Sequence, residues 1–180
     1  MVYSYKDLNK KGYSDYQIKR MVREKKLYLI KKGSYSTVKD FNYLEYIARK
    51  HPNAVITLES ASYCYGLLRE EKDFYRIATK QKDRKIHDEK IKQIFMTDSL
   101  YHIGIQVITY KGFQIKIYDL ERLLIEVARN KIVLSYDDYH EIMDSYRKIS
   151  RLIKKEKLNE YMKYFKDEKV KQRIKKELAI

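Results

Sequence analysis

Apolar and polar positions alternate with a helical period near the start of the chain. Ile18, Met21 and Val22 recur at i, i+3 and i+4, which predicts an amphipathic helix with one buried face. Ser14 precedes this segment, and Gln17 follows it three residues later, a spacing that favours a capping box at the helix start. The basic residues of the segment fall on the opposite face, so the helix presents positive charge to solvent.

The elements around this helix predict a winged helix-turn-helix. A shorter helix, YKDLNK, begins behind Ser4 and ends at Gly12. After the second helix, LYLI and SYSTV flank KKG, which predicts a hairpin that turns at Gly33. Helix, helix and two-stranded wing is the order found in the latter part of a winged helix-turn-helix, whose second helix enters the major groove.

The middle of the chain changes from a helical to a strand period. FNYLEYIARK predicts a helix ending near Pro52, and AVITLESASYCYGLL predicts a longer buried helix that stops at Gly66. Two later strands are expected to form a hairpin around the dipeptide KG. The four strand candidates span residues 74–80, 91–98, 104–110 and 113–119.

The remainder of the chain returns to a helical pattern. LERLLIEVAR begins behind Asp119, and YDDYHEIMDSYRKISRLI begins behind Ser135, two residues that can cap helices. The tail is helical and highly charged. The expected fold class is therefore α+β: an N-terminal winged helix-turn-helix over residues 1–40, then a mixed domain over residues 41–180 with a small β-sheet and a helical C-terminal part.

Composition narrows the partners and the kinds of site. Forty Lys and Arg against 25 Asp and Glu give a net charge of +15, which favours a polyanion such as DNA, RNA or an anionic membrane surface. Charge alone does not choose among them. Cys64 is the only cysteine, which excludes an internal disulfide and a multi-cysteine metal site. No apolar run is long enough to span a membrane, so we expect a cytoplasmic protein without a membrane partner.

The basic face of the second helix and the wing predict contacts with DNA. Arg can hold O6 and N7 of guanine together, whereas Lys neutralises phosphate. Arg20 and Arg23 are therefore expected to read bases, Lys19 and Lys26 to flank them on the backbone, and the wing lysines to reach a neighbouring phosphate. The predicted DNA-binding residues are Ser14, Tyr16, Lys19, Arg20, Arg23, Lys26, Lys31 and Lys32. The alternative is an ordinary solvated helix face.

A second basic region lies near the C-terminus. Residues 147–176 carry a net charge of +9, but apolar residues at helical spacing indicate that these helices also pack. Contact with nucleic acid and plain surface both remain open for this region. Its leading residues, which define a possible second basic surface, are Arg147, Lys148, Arg151, Lys154 and Lys155.

Signals for catalysis and for metal binding are weak. The four histidines are scattered without ligand spacing, and the chain has no P-loop, GxGxxG or GxSxG motif. Asp137 and Asp138 could hold a metal ion, but they more simply favour the first turn of a helix. Cys64 lies among apolar residues, as expected of a buried structural thiol. We therefore expect no enzyme, no cofactor and no metal site.

Several patches, taken in order, resemble the AbiEi-type antitoxins of type IV toxin–antitoxin and abortive-infection systems. The region YKDLNKKGYSDYQIKRMVREKKLYLIKKGSYS is similar to that family's winged-helix head, and the resemblance extends over about residues 5–148. The individual motifs are loose, and their order and spacing carry the resemblance. The matching positions are Gly12, Ile18, Leu27, Gly33 and Tyr35 in the head, then Ser60, Ala61, Gly66, Leu67, Glu121 and Arg122.

The chain departs from the family pattern at several points. Family members usually have another helix before the YKDL element, so the head is expected either to lack its first helix or to be completed by another segment. Tyr65 stands where a His is common, and Ser34 stands where an apolar residue is usual.

The resemblance implies two functions. The head would repress its own operon by binding repeated promoter sites, and the rest would counter a toxin resembling a nucleotidyltransferase without forming a stable complex with it. Three alternatives remain: an enzyme acting through Asp137 and Asp138, a protein that binds the toxin directly through residues 41–180, and an RNA-binding regulator whose tyrosines stack on unpaired bases.

Overall fold

Two helices and a three-stranded sheet form the N-terminal part of the computed structural model, which describes residues 1–178. We call residues 1–40 the head and residues 41–178 the body. The strands of the head are antiparallel in the order β1-β3-β2, and the β2–β3 hairpin is called the wing. The elements of the head are β1 (Val2–Ser4), α1 (Tyr5–Lys10), α2 (Asp15–Arg23), β2 (Tyr28–Lys31) and β3 (Ser34–Ser36).

Local sequence signals place the two head helices as predicted. Ser4 and Ser14 each accept a hydrogen bond from the backbone three residues on, and both sites are complete capping boxes. Gly33 turns the wing at φ +78°, a left-handed conformation that favours glycine. A small apolar cluster then joins α1, α2 and the start of the wing. Its buried residues are Leu8, Ile18 and Leu27.

The body begins with a five-stranded mixed sheet in the order β6-β5-β4-β8-β7. The β4–β8 and β5–β6 pairs are parallel, and the β4–β5 and β7–β8 pairs are antiparallel. The last pair is the hairpin predicted around KG. The elements are α3 (Tyr43–Lys50), β4 (Val55–Ile56), α4 (Leu58–Cys64), β5 (Tyr75–Lys80), β6 (Ile91–Met96), α5 (Asp98–Tyr101), β7 (Ile105–Tyr110) and β8 (Phe113–Tyr118).

Four helices and one 3₁₀ turn complete the body. The first of them, α6, lies in the core: every residue from 121 to 128 is buried, and α8 and α9 pack against it. No helix within residues 1–178 combines the length and the apolar content needed to cross a bilayer. The elements are α6 (Leu120–Arg129), α7 (Tyr136–Lys148), the 3₁₀ turn Ser150–Leu152, α8 (Lys155–Tyr164) and α9 (Glu168–Leu178).

The α+β fold class is confirmed, and several elements differ from expectation. The helix predicted over residues 136–153 ends at Lys148, and the 3₁₀ turn Ser150–Leu152 follows it. The segment predicted as one long helix contains β4 and then the seven-residue α4, because Val55 and Ile56 pair with strands on both sides. The strand β1 and the four-residue helix α5 were not predicted. Both are too short to show a period, and β1 depends on pairing with a strand about thirty residues away.

The head contacts the body through a hydrogen bond from β1 and an ion pair from the wing. The amide of Val2 donates to Oε1 of Glu45 on α3 at 2.9 Å, and Val2 itself belongs to the core of the body. On the wing, Nζ of Lys31 lies 2.7 Å from Oδ2 of Asp88, whose side chain is 3% exposed. The helix α3 therefore packs against β1, and the wing is tied to a loop of the body.

Candidate nucleic-acid interface

The exposed face of α2 carries four of the predicted DNA-binding residues. Ile18 points inward and is 2% exposed, which places the residues on the opposite side in solvent. Tyr16 is 68% exposed although it is aromatic. Its neighbours on this face, Lys19, Arg20 and Arg23, are exposed as well. The predicted arrangement of a buried apolar stripe and a basic outer face is therefore confirmed.

An open groove of about 690 Å³ separates α2 from the wing. The α2 side supplies Tyr16, Lys19 and Arg23, and the wing supplies Lys32 at its turn. Leu29 of β2 lines the same groove and is 58% exposed. The structure thus brings four of the eight predicted residues together around a partly apolar floor, with positive charge on both walls.

Arg20 and Lys26 are directed to a carboxylate of their own segment. Nε of Arg20 lies 2.6 Å from Glu24 Oε1, and Nζ of Lys26 lies 2.7 Å from Glu24 Oε2. Hydrogen bonds from Lys26 and Arg20 lower the pKa of Glu24 to about 2, so the carboxylate is charged at neutral pH. Sequence reasoning treated Arg20 and Arg23 as equivalent, and the geometry separates them: Arg23 lines the groove, whereas Arg20 does not.

Lys31 and Ser14 already have partners within the protein. The Lys31 ammonium is paired with Asp88, which also accepts a hydrogen bond of 2.7 Å from the Tyr43 hydroxyl. Burial alone would raise the pKa of Asp88, but the hydrogen bonds from Lys31 and Tyr43 leave it below the usual value. The Ser14 hydroxyl accepts from the Gln17 amide at 3.3 Å, as a helix cap. Lys31 thus joins the wing to the body, while Lys32 occupies the tip.

The second basic surface is divided in the same way. Arg147 is bound on two sides: it pairs with Asp144, and its guanidinium lies 2.6 Å from Glu177 Oε2. The other four side chains are exposed and have no ion-pair partner in the described part of the chain. The backbone of Lys154 donates to Glu121 Oε1 at 2.9 Å. The four exposed residues are Lys148, Arg151, Lys154 and Lys155.

Residues that carry the family resemblance at the start of α6 lie inside the body. Arg122 is fully buried, lies 2.8 Å from Glu126 and donates to the carbonyl of Leu100 at 2.9 Å. Glu121 is 4% exposed and receives the Lys154 amide, so it fixes the start of α8. Their burial and partners assign both residues to the internal packing of the body.

The weak candidates for catalysis have structural surroundings. Asp138 is ion-paired with Lys72 at 2.7 Å in the first turn of α7, while Asp137 is exposed. Burial raises the pKa of the Cys64 thiol to about 12, which disfavours the reactive thiolate. Within residues 1–178, no three side chains of His, Cys, Asp or Glu converge in a way that could hold a metal ion.

Sequence reasoning missed the apolar residues of the groove. The sequence pattern predicts a strand that contains Leu29 but not which way its side chain faces, and it assigns Val22 only to the buried stripe. A signal existed for Leu29: residues of a strand alternate between faces, so Leu29 points away from Ile30, which packs against the core of the body. Val22 is half-buried and also lines the groove. An exposed leucine beside a basic helix is therefore the feature that the pattern contained.

Comparison with known proteins identifies a similar fold but no family. No protein-family model matches the chain, and no curated protein matches it. Among solved structures, the chain is similar to the RV2827C protein from Mycobacterium tuberculosis, with a TM-score of 0.73 at 13% sequence identity. The similarity covers 99% of this chain and 71% of that protein. At this identity the likeness establishes the fold alone, and it extends over both the head and the body.

Proposed function

We propose that this protein is a DNA-binding autorepressor that also serves as the antitoxin of a type IV toxin–antitoxin, or abortive-infection, system. The observation that carries the DNA-binding part is the groove between α2 and the wing, where Lys19, Arg23 and Lys32 surround an open space without carboxylate partners in the described chain. The antitoxin part rests on the resemblance to AbiEi-type antitoxins. The similarity to RV2827C supports the fold on which both parts depend.

The proposed complex places α2 in the major groove of duplex DNA. Arg23 can then hold O6 and N7 of a guanine, the most common base-specific contact of an arginine. Lys19 and Lys32 lie on opposite walls of the groove and neutralise phosphates, which orients the head on the duplex. Arg20 and Lys26 add positive charge near the DNA backbone but remain ion-paired with Glu24.

The body supplies the antitoxin activity in this proposal. Its expected counterpart is a cytoplasmic toxin resembling a nucleotidyltransferase, opposed without a stable complex. In the test, the toxin is co-expressed either with the full chain or with residues 41–180, which lack the head. The comparison separates DNA binding from antitoxin activity. Rescue by the full chain without co-purification of the pair is the expected result. Stable co-purification would instead favour direct binding of the toxin, and failure of the full chain to rescue would remove the antitoxin assignment.

Two arginines of one helix provide a matched test of DNA binding. Arg23→Ala should weaken binding to the protein's own promoter about 5- to 150-fold and relax one base position, because a bidentate base contact is lost. Arg20→Ala removes the same charge from the same helix and should weaken promoter and scrambled duplex alike. Lys32→Ala should also act on both duplexes and reduce the salt slope of binding by about one. Equal losses of promoter preference for Arg20→Ala and Arg23→Ala would contradict the assignment.

A further inference from the structure

Two large apolar side chains that line the basic groove are exposed. Leu29 is 58% exposed and Tyr16 is 68% exposed, and Val22 lines the same groove. Single exposed apolar residues are common on protein surfaces and need no explanation. Here they share one groove with cations on both walls, in a chain of which 36% is charged. The ligand of this groove is therefore expected to present an apolar group between anionic ones.

Duplex DNA offers one apolar group of this kind in the major groove. The C5-methyl group of thymine projects from the base edge, and it is the feature by which apolar side chains recognise an A·T pair. Phosphates lie on both sides of the DNA major groove. They match Lys19 and Lys32, which lie on the two walls of the protein groove. Burying a methyl group against Leu29 removes apolar surface of both partners from water, which favours thymine over cytosine or uracil.

We infer that the groove between α2 and the wing reads the C5-methyl group of a thymine through Leu29 and Tyr16. This inference rests on the proposed DNA-binding function and adds the chemistry of one base position to it. Arg23 supplies the polar contact and Leu29 the apolar contact, so the preferred site is expected to contain a thymine within a few base pairs of the guanine held by Arg23.

The test replaces thymine by deoxyuridine, which removes the methyl group and leaves base pairing unchanged. Each thymine of the promoter segment protected by the wild-type protein is replaced singly, and affinity is measured by fluorescence anisotropy. One position in each repeated site should lose affinity about fourfold to tenfold, as expected for one buried methyl-sized group. Leu29→Ala should weaken binding to the unmodified promoter by a similar factor and should abolish the response to uracil at that position.

Ile132→Ala is the matched control, because Ile132 is a fully exposed aliphatic residue of the body that belongs neither to the groove nor to the second basic surface. It should leave both the affinity and the response to uracil unchanged. Urea unfolding of Leu29→Ala establishes that the variant is folded, as its exposure predicts.

The outcomes separate the inference from the proposed function. If the wild-type protein prefers its promoter but no uracil substitution changes its affinity, thymine reading is wrong and DNA binding stands. A response to uracil that persists in Leu29→Ala assigns the methyl contact to other residues and likewise overturns the inference. If the wild-type protein shows no preference for its promoter, the proposed function fails and the inference fails with it.

Discussion

The buried pair of Arg122 and Glu126 allows a quantitative prediction about the body. Both side chains are fully buried, and Cζ of Arg122 lies 4.5 Å from the centre of the Tyr118 ring and 4.4 Å from that of Phe165. Removing one partner of a buried ion pair typically costs about 3–5 kcal/mol, because the other charge stays behind without compensation. When Arg122 is replaced, Glu126 still has an ion pair with Arg129, whose guanidinium lies 3.1 Å away. We therefore expect Arg122→Met to lower the free energy of unfolding by ~3 kcal/mol, the lower end of that range.

Urea unfolding measures this loss directly. With an m-value of roughly 2 kcal/mol per molar, the midpoint should fall by about 1.5 M. The double variant Arg122→Met/Glu126→Leu replaces the pair by apolar side chains and should recover most of the loss, since no charge is then left buried. Arg151→Met removes an exposed arginine and should change the midpoint little.

Two results would refute this account of the pair. One is a single variant whose stability lies within ~0.5 kcal/mol of the wild type, the range of ordinary surface substitutions. The other is a double variant that is no more stable than the single one. Promoter affinity of the folded Arg122→Met protein should remain unchanged, because the groove that we propose to bind DNA lies in the head.

Three further predictions concern the head, its attachment and the packing of α6. Ser14→Ala removes the cap of α2 and should cost ~0.5–2 kcal/mol in urea unfolding, whereas Ser14→Gly should cost only a few tenths. Gly104→Ala should cost about 2 kcal/mol or more in the same assay, because φ is +74° and the new Cβ would lie 2.5 Å from Cβ of Arg122. Asp88 has a lowered pKa in the folded protein, so its contribution is present above about pH 3.8 and is lost as the pH falls below that value. Asp88→Asn should therefore flatten the pH dependence of stability below pH 4, and an unchanged acid profile would contradict the role given to the Lys31–Asp88 pair.

Elements with a local cause were accessible from the sequence. Asp119 and Ser135 begin α6 and α7 through side-chain caps, which are encoded within three residues of the helix start. The β7–β8 hairpin follows from two strand-like runs around Lys111 and Gly112. Elements that depend on residues far away in the chain could not be predicted from the sequence. The two-residue strand β4 exists because β5 and β8 pair with it, and nothing within Val55–Ile56 distinguishes it from the start of a buried helix.

The candidate site divides in the same way. Helical periodicity placed Tyr16, Lys19 and Arg23 on the exposed face of α2, because that face depends only on the spacing of apolar residues. The different roles of the wing lysines depended on tertiary structure. Lys31 meets an aspartate 57 positions away in the chain, whereas Lys32 projects from the turn beside α2. The periodicity of the sequence does not indicate which of the two lysines lies near the body and which lies near α2.

The most direct test of the central claim is the affinity of the wild-type protein for its own promoter relative to a scrambled duplex, at two salt concentrations. The account predicts a preference of about 10³-fold or more for the promoter, since specific sites typically bind by at least that margin. It also predicts a steep loss of affinity with salt for both duplexes, because lysines at the groove displace counterions. Equal affinities that fall together as the salt concentration rises would contradict it: the basic face of α2 would then be a generic cationic surface rather than a reader of DNA sequence.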